Sequence, residues 1–160
     1  MIQLQIQKRN IKETLLEAVN TVIMKAIEKK IEFSVDAVEC MAFHDFRWTQ
    51  EALINLLDNA IKYSPSGTTV EIRLQKLTSY ALIEVIDQGM GVEKMERHKI
   101  FQRFYRGEQA KELQRDGAGI GLYLAKEIIE QQHGTITVKE NPSHQGCCFQ
   151  VMLPLSITKL

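Results

Sequence analysis

The sequence predicts a mixed α+β domain, and three observations predict it. Long stretches with apolar residues three and four apart alternate with short stretches rich in β-branched residues. Two of the short stretches stand back to back around residues 77–79, and Thr135-Ile-Thr-Val-Lys139 alternates strictly between polar and apolar. The first spacing lines one face of a helix; the last gives a strand one buried and one wet face. At 160 residues the chain is long enough for one domain with a proper core, taken here as residues 1–160.

The elements follow in order. A strand over residues 3–8 precedes a helix over 11–29, whose apolar side carries Leu15, Leu16, Val19 and Val22, and a short strand follows at 31–35. A helix over 47–63 is capped by Asp45 and stops at Ser64-Pro65-Ser-Gly67, where proline and glycine end it. Strands at 69–76 and 80–86 make a hairpin-like pair. A helix over 120–132, closed by His133-Gly134, leads into strands at 135–139 and 147–153, joined by the turn Asn141-Pro142-Ser-His-Gln-Gly146.

Composition narrows the function classes. Twenty Lys and Arg balance twenty Asp and Glu, and the cations are scattered, so nucleic acid is not an expected partner. No long apolar segment or signal sequence is present, so the chain is expected to be soluble, without direct membrane contact by this domain. Cys40, Cys147 and Cys148 are odd in number and lack metal-ligand spacing, which makes them reduced thiols in core or strand positions.

Four segments carry chemistry. In Glu51-Ala-Leu-Ile-Asn55-Leu-Leu-Asp-Asn59-Ala-Ile-Lys62-Tyr63, the residues Glu51, Asn55, Asp58, Asn59 and Lys62 fall in one helical stripe, opposite Leu53, Ile54, Leu57, Ala60 and Ile61. Asparagine is a mediocre helix former, and two of them one turn apart suit a hard cation that takes most of its ligands from phosphate and water. The strand at 80–86 runs into Asp87-Gln-Gly89-Met-Gly91, where a carboxylate can accept a hydrogen bond from an exocyclic amine and glycines admit a flat ligand.

Asp116-Gly117-Ala-Gly119-Ile-Gly121-Leu122 is a glycine-rich turn opening a helix, whose free N–H groups suit a phosphate. It is not a dinucleotide fingerprint, because no strand precedes it, and the chain has no Walker A motif. Between the glycine motifs lies Ile100-Phe101-Gln-Arg103-Phe104-Tyr105-Arg106, followed by a polar stretch to Asp116 that reads as a lid with an apolar anchor. Phe101 and Phe104 also fit ordinary core aromatics at helical spacing. Taken singly, each motif also fits a solvated helix face or an Asp/Gly turn.

Taken in order, these segments resemble the N box, first glycine box, F box and second glycine box of sensor histidine kinases. The resemblance runs to Gly146-Cys-Cys-Phe149-Gln-Val-Met-Leu153-Pro154, which is similar to the family's last strand. It implies the ATP-binding fold shared with gyrase, mismatch-repair ATPases and heat-shock chaperones: a two-layer α/β sandwich whose mixed sheet is covered on one face by about three helices. It further implies that Asn59 binds Mg²⁺ and bridges it to the phosphates of ATP, that Asn55 faces the same phosphates, and that Lys62 adds compensating charge. Tyr63 would line the site, Asp87 would bind the adenine amino group, and Gly89 and Gly91 would form the adjoining wall. Gly117, Gly119, Gly121 and Leu122 would close over the phosphates, and Arg103 and Arg106 would contact the terminal phosphate or the partner domain.

In hydrolysing relatives the position one turn before the magnesium asparagine is a glutamate that activates water. Here it is Asn55, and an amide is no general base. Glu51 lies one turn further back on the stripe. The resemblance therefore implies phosphoryl transfer to another group, in trans to a histidine on the protein's own dimerisation and phosphoacceptor domain, and onward to a cognate response regulator. None of the four histidines fits the acceptor motif, and His44, His98, His133 and His144 read as structural or exposed. The chain is expected to be a monomeric cytoplasmic catalytic domain of an integral membrane sensor, with a lid over 107–117 that orders around the γ-phosphate. Two other readings share the fold: a stand-alone serine kinase of the anti-sigma-factor type, and a nucleotide-binding module without transfer activity.

Overall fold

A computed structural model describes residues 2–103 and 121–157 of the chain. Strand β1 (Gln7–Asn10) leads into helix α1 (Ile11–Glu28), followed by β2 (Glu32–Ala37), β3 (Met41–His44) and helix α2 (Phe46–Tyr63). The hairpin β4 (Thr69–Lys76) and β5 (Tyr80–Ile86) comes next, then two short 3-10 turns at Lys94–Glu96 and Lys99–Phe101. Helix α3 (Gly121–Glu130) and strands β6 (Thr135–Glu140) and β7 (Cys147–Pro154) complete the described chain.

The main sheet has the order β2-β4-β5-β7-β6, with β2 parallel to β4 and every other pair antiparallel. Alternate residues of its strands (Val70, Ile72 and Leu74; Ala81, Ile83 and Val85; Phe149, Val151 and Leu153) join Leu15, Leu53, Leu57 and Ile128 of the helices in one buried cluster. Leu82, Ile86 and Cys148 point to the other face and lie outside that cluster. This is the expected two-layer arrangement, with the helices on one face of a mixed sheet. Each fully buried leucine contributes roughly 1.5–3 kcal/mol.

Several boundaries differ from expectation. The opening strand begins at Gln7, because its partner β3 is only four residues long and its register ends at Gln7 opposite His44. Beyond that point the Gln5 N–H donates instead to Asp45 Oδ2 at 2.6 Å. Strand β3 itself is too short to show a period, and it exists by pairing with β1 and not by local propensity. Leu16 is only half-buried, since α1 turns Ile11, Leu15, Ala18, Val22 and Ala26 to the core and carries Leu16 to the flank. Ile54 is likewise half-buried. Helix α3 ends at Glu130, and His133 adopts the left-handed conformation (φ 64°) with its N–H on the Glu130 carbonyl, closing the helix as the His-Gly signal predicts.

Asp45 caps α2 through the Trp48 N–H at 2.8 Å. His44, fully buried, donates from Nδ1 to the Ala42 carbonyl (3.0 Å), and its Nε2 meets the Thr14 hydroxyl at 2.6 Å. The neutral ring thus ties β3 to α1. His98, His133 and His144 are exposed, and the three cysteines are free and buried.

Candidate functional site

Asp87 follows the last residue of β5 and is 2% exposed. Its Oδ1 accepts from the Gly89 N–H at 2.9 Å and from the Cys147 N–H at 3.0 Å. Burial pushes the carboxyl above its ordinary range, against the opposing pull of those two N–H groups. Both bonds fall on one oxygen, which fixes the carboxylate plane and leaves Oδ2 as the acceptor for a ligand. The Asp87 N–H donates to the Cys147 carbonyl (2.9 Å), and the Asp87 carbonyl accepts from Asn141 Nδ2 (2.7 Å).

Two glycines make this packing possible. A Cβ on Gly89 would stand 2.8 Å from the Tyr63 carbonyl, so the loop after β5 can rest on the end of α2 only without a side chain there. A Cβ on Gly146 would stand 2.1 Å from the Asp87 carbonyl, and Gly146 also has φ 138°, which L-residues rarely adopt. Gly91 lies in the same loop, turned toward Gly146.

Helix α2 forms the adjoining wall. Asn55, Asp58 and Asn59 are half-buried and share one side with the exposed Glu51 and Lys62. Among the described residues, neither the Asn55 nor the Asn59 amide has a hydrogen-bond partner. Asp58 is turned to α1, where it meets Lys25 at 3.3 Å, so that member of the stripe is engaged elsewhere. At the other end of the wall, a Cβ on Gly121 would lie 3.8 Å from Cβ and Cγ of Asn55, which places the start of α3 directly against that asparagine. Asn55 and Tyr63 are two helical turns apart, about 12 Å along the axis. The wall thus spans from the Asp87 loop to the start of α3, with Asn59 between them.

The last turn of α2 is held from outside. Lys29 Nζ donates to the carbonyls of Ile61 (2.8 Å) and Lys62 (2.7 Å), and partial burial lowers its pKa. Ser64, fully buried, accepts from the Gln88 N–H at 3.4 Å. Phe101 is buried edge-on against Phe149 (ring centroids 6.1 Å apart), with Lys126 over its face, so it is a core aromatic. The Arg103 guanidinium lies 6.0 Å from the Tyr123 ring on α3, and Leu122 packs at the edge of the core. Phe104, Arg106, Gly117, Gly119 and the lid lie outside the described residues.

The structure therefore brings Asn55, Asn59, Tyr63, Asp87, Gly89 and Gly121 to one wall. The roles of Lys29, Asn141, Gly146 and Cys147 there were not read from the sequence. Asn141 and Cys147 are 54 and 60 residues from Asp87, and nothing local announces such a contact. The Gly146 that opens the last strand was the one available signal. Among the described residues no three His, Cys, Asp or Glu side chains could enclose a metal ion. A cation on this wall would have to take most of its ligands from a bound ligand and water, as Mg²⁺ does at phosphates.

Comparison with known proteins finds relatives of the chain. A family described as histidine kinase-, DNA gyrase B-, and HSP90-like ATPase matches residues 44–157. The chain is 38% identical over 130 residues to the signal transduction histidine-protein kinase/phosphatase MprB of Mycobacterium sp. (strain KMS), covering 78% of this chain and 24% of that protein. It is 35% identical over 130 residues to the sensor protein kinase PmrB of Pseudomonas aeruginosa, covering 81% and 27%. The chain thus spans about a quarter of the length of these curated relatives. Among solved structures, the mycobacterial sensor histidine kinase MprB is similar with a TM-score of 0.82 at 28% identity, over 92% of this chain and 96% of that one. The catalytic domain of histidine kinase ThkA, 20% identical, shares the fold with a TM-score of 0.83 over 96% of this chain and 100% of that one.

Proposed function

The chain belongs to the family of histidine kinase-, DNA gyrase B-, and HSP90-like ATPases, and on that premise we propose that it binds Mg-ATP and delivers the γ-phosphoryl group to a histidine on a separate dimerisation domain. The observation that carries this reading is the pairing of an anchored carboxylate, Asp87, with two uncommitted amides, Asn55 and Asn59, along one helix wall. Asp87 Oδ2 accepts from the adenine amino group, Gly89 and Gly91 line the base, and Tyr63 closes the near side. Asn55, Asn59 and Lys62 face the phosphates, with Gly121 and Leu122 at the start of α3 beside them; Arg103, Arg106, Gly117 and Gly119 complete the set.

Asn59 would hold Mg²⁺ through its side-chain oxygen, and the ion would supply positive charge that offsets the phosphates. The residues otherwise position the γ-phosphoryl group. The attacking imidazole nitrogen forms an N–P bond as the bond from phosphorus to the β–γ bridging oxygen breaks, and ADP leaves. Asn55 cannot take a proton from water, and Glu51 is exposed. Both facts favour transfer over hydrolysis, and the sensor kinase names of the relatives do not favour a serine kinase or a non-catalytic module.

The phosphohistidine would pass its phosphoryl group to a cognate response regulator. A solved complex of histidine kinase ThkA with a response regulator is among the structures of the same fold. Residues 1–160 would form a single monomeric catalytic domain on the cytoplasmic side of a membrane sensor; among the described residues no helix is long and apolar enough to cross a membrane.

The test is a calorimetric titration of ATP with and without Mg²⁺, followed by addition of a purified dimerisation domain. Mg²⁺-enhanced binding and an acid-labile phosphorylated histidine are expected. Absence of ATP binding would overturn the proposal, and binding with rapid phosphate release and no phosphohistidine would replace it with an ATPase.

A further inference from the structure

We infer that Asn141 is a positioning residue for the nucleotide base, acting through the β6–β7 turn to hold Asp87 and so to set the preference for adenine over guanine. This inference rests on the nucleotide-binding reading above.

Asn141 is 8% exposed, and its side-chain oxygen, side-chain nitrogen and backbone N–H are each hydrogen-bonded. Its Nδ2 donates to the Asp87 carbonyl at 2.7 Å, and its Oδ1 accepts from the Ser143 N–H (2.9 Å) and the His144 N–H (3.1 Å). Its own N–H donates to the Gly146 carbonyl at 3.0 Å, closing the turn on itself. The same turn places Gly146 flush against the Asp87 carbonyl, while Cys147 takes the Asp87 N–H and returns an N–H to Oδ1. One residue before Gly146, exposed Gln145 donates from Nε2 to the Met90 carbonyl at 3.0 Å. Residues 141–147 therefore hold the Asp87 N–H, carbonyl and Oδ1, and grip the loop again at Met90. Only Oδ2 is left for a ligand.

Selectivity follows from that restraint. Adenine presents an amine donor where guanine presents a carbonyl acceptor. A carboxylate that cannot rotate or withdraw rewards the first and repels the second. If the Asp87 backbone is released, the carboxylate can swing or admit water, and the penalty against guanine falls along with the affinity for adenine. Among the described residues the amides of Asn55 and Asn59 make no hydrogen bond to this turn, so handling of the phosphates should persist once the site is filled.

The experiment measures dissociation constants for ATP and GTP by calorimetry on the whole chain and its Asn141→Ala, Asn141→Asp, Gln145→Ala and Asp87→Asn variants, with thermal melting alongside. Asn141→Asp keeps the acceptor for Ser143 and His144 but replaces the donor facing the Asp87 carbonyl, so it separates the brace from the turn. We expect both Asn141 variants to weaken ATP about tenfold and to narrow the ATP-to-GTP ratio by a similar factor, the cost of stranding a buried carbonyl. Gln145→Ala should narrow the ratio about twofold with unchanged melting.

Lower melting temperatures in the Asn141 variants with an unaltered ratio would overturn the inference. If those variants do not fold, an unaltered ratio in Gln145→Ala overturns it. Asp87→Asn separates the two levels: if it abolishes ATP binding while the turn variants leave both ATP affinity and the ATP-to-GTP ratio unaltered, only this inference fails. If it binds ATP normally, the nucleotide site itself is misassigned and the inference falls with it.

Discussion

The two ends of the site are built in opposite ways. At the Asp87 end, a buried carboxylate is surrounded by backbone and side-chain donors, and one oxygen is left over. At the α2 end, Asn55 and Asn59 stand half-buried with no partner among the described residues, and Lys62 is exposed. The first end is preorganised and can discriminate; the second is open and can adapt to a ligand that brings its own charge. On the proposed nucleotide-binding reading, a rigid base pocket would stand beside a soft phosphate face.

The comparison breaks most severely at Gly146. Gly146→Ala forces a Cβ into the Asp87 carbonyl at a left-handed φ, and a stability loss of about 3 kcal/mol is expected, with ATP binding lost as well. Denaturant unfolding with parallel calorimetry checks both, and a well-folded variant that still binds would show that the two segments can separate cheaply.

Asp87→Asn should sharpen the comparison. The amide oxygen can keep the bonds from Gly89 and Cys147, but an NH₂ replaces Oδ2, so ATP binding should fall by about a hundredfold or more. Stability should move the other way. Because burial raises the Asp87 pKa in the folded chain, folding binds the proton more tightly than the unfolded chain does. The charged form therefore costs stability in full above that raised pKa, and the cost fades as pH falls from there to the ordinary carboxyl value, below which it is gone. Asp87→Asn should melt higher than the parent at neutral pH and lose that advantage in acid. A lower melting temperature at neutral pH would refute it.

His44 provides the opposite sign away from the site. Burial lowers its pKa, so the unfolded chain takes up the proton first, and stability drains away as pH falls below the ordinary value of 6.5. His44→Gln should flatten that acid limb at a cost of about 1 kcal/mol at neutral pH, leaving ATP affinity alone. The smallest effect is expected at Lys29. Lys29→Met uncaps the end of α2 for about 1 kcal/mol or less and weakens ATP no more than severalfold, with Lys29→Arg restoring both. A large loss of affinity there would mean that the α2 end is also tightly preorganised, and the contrast between the two ends would fail.

Much of this architecture was legible in the chain. The β4–β5 hairpin fell at the bounds read for its two strand-like stretches, Thr69–Lys76 and Tyr80–Ile86. The cap at Asp45, the stop at His133 and the mixed face of α2 also followed from local chemistry. Strand β3 did not, because four residues carry no period, and the opening strand was misplaced because its length depends on that partner. Asp58 was grouped with the site asparagines by helical angle alone, and the structure gives it to Lys25 of α1.

The sequence by itself determined the helices, the longer strands and which residue types stand on the exposed side of α2, since those depend on periodicity and capping within a few residues. Tertiary structure alone decided that Gly89 meets Tyr63, that Gly121 meets Asn55, and that Asn141, Gly146 and Cys147 enclose Asp87. Those contacts join segments up to 66 residues apart, and the ones around Asp87 arise from strand order in the sheet: β7 lies beside β5, so the turn entering it must meet the loop leaving its neighbour.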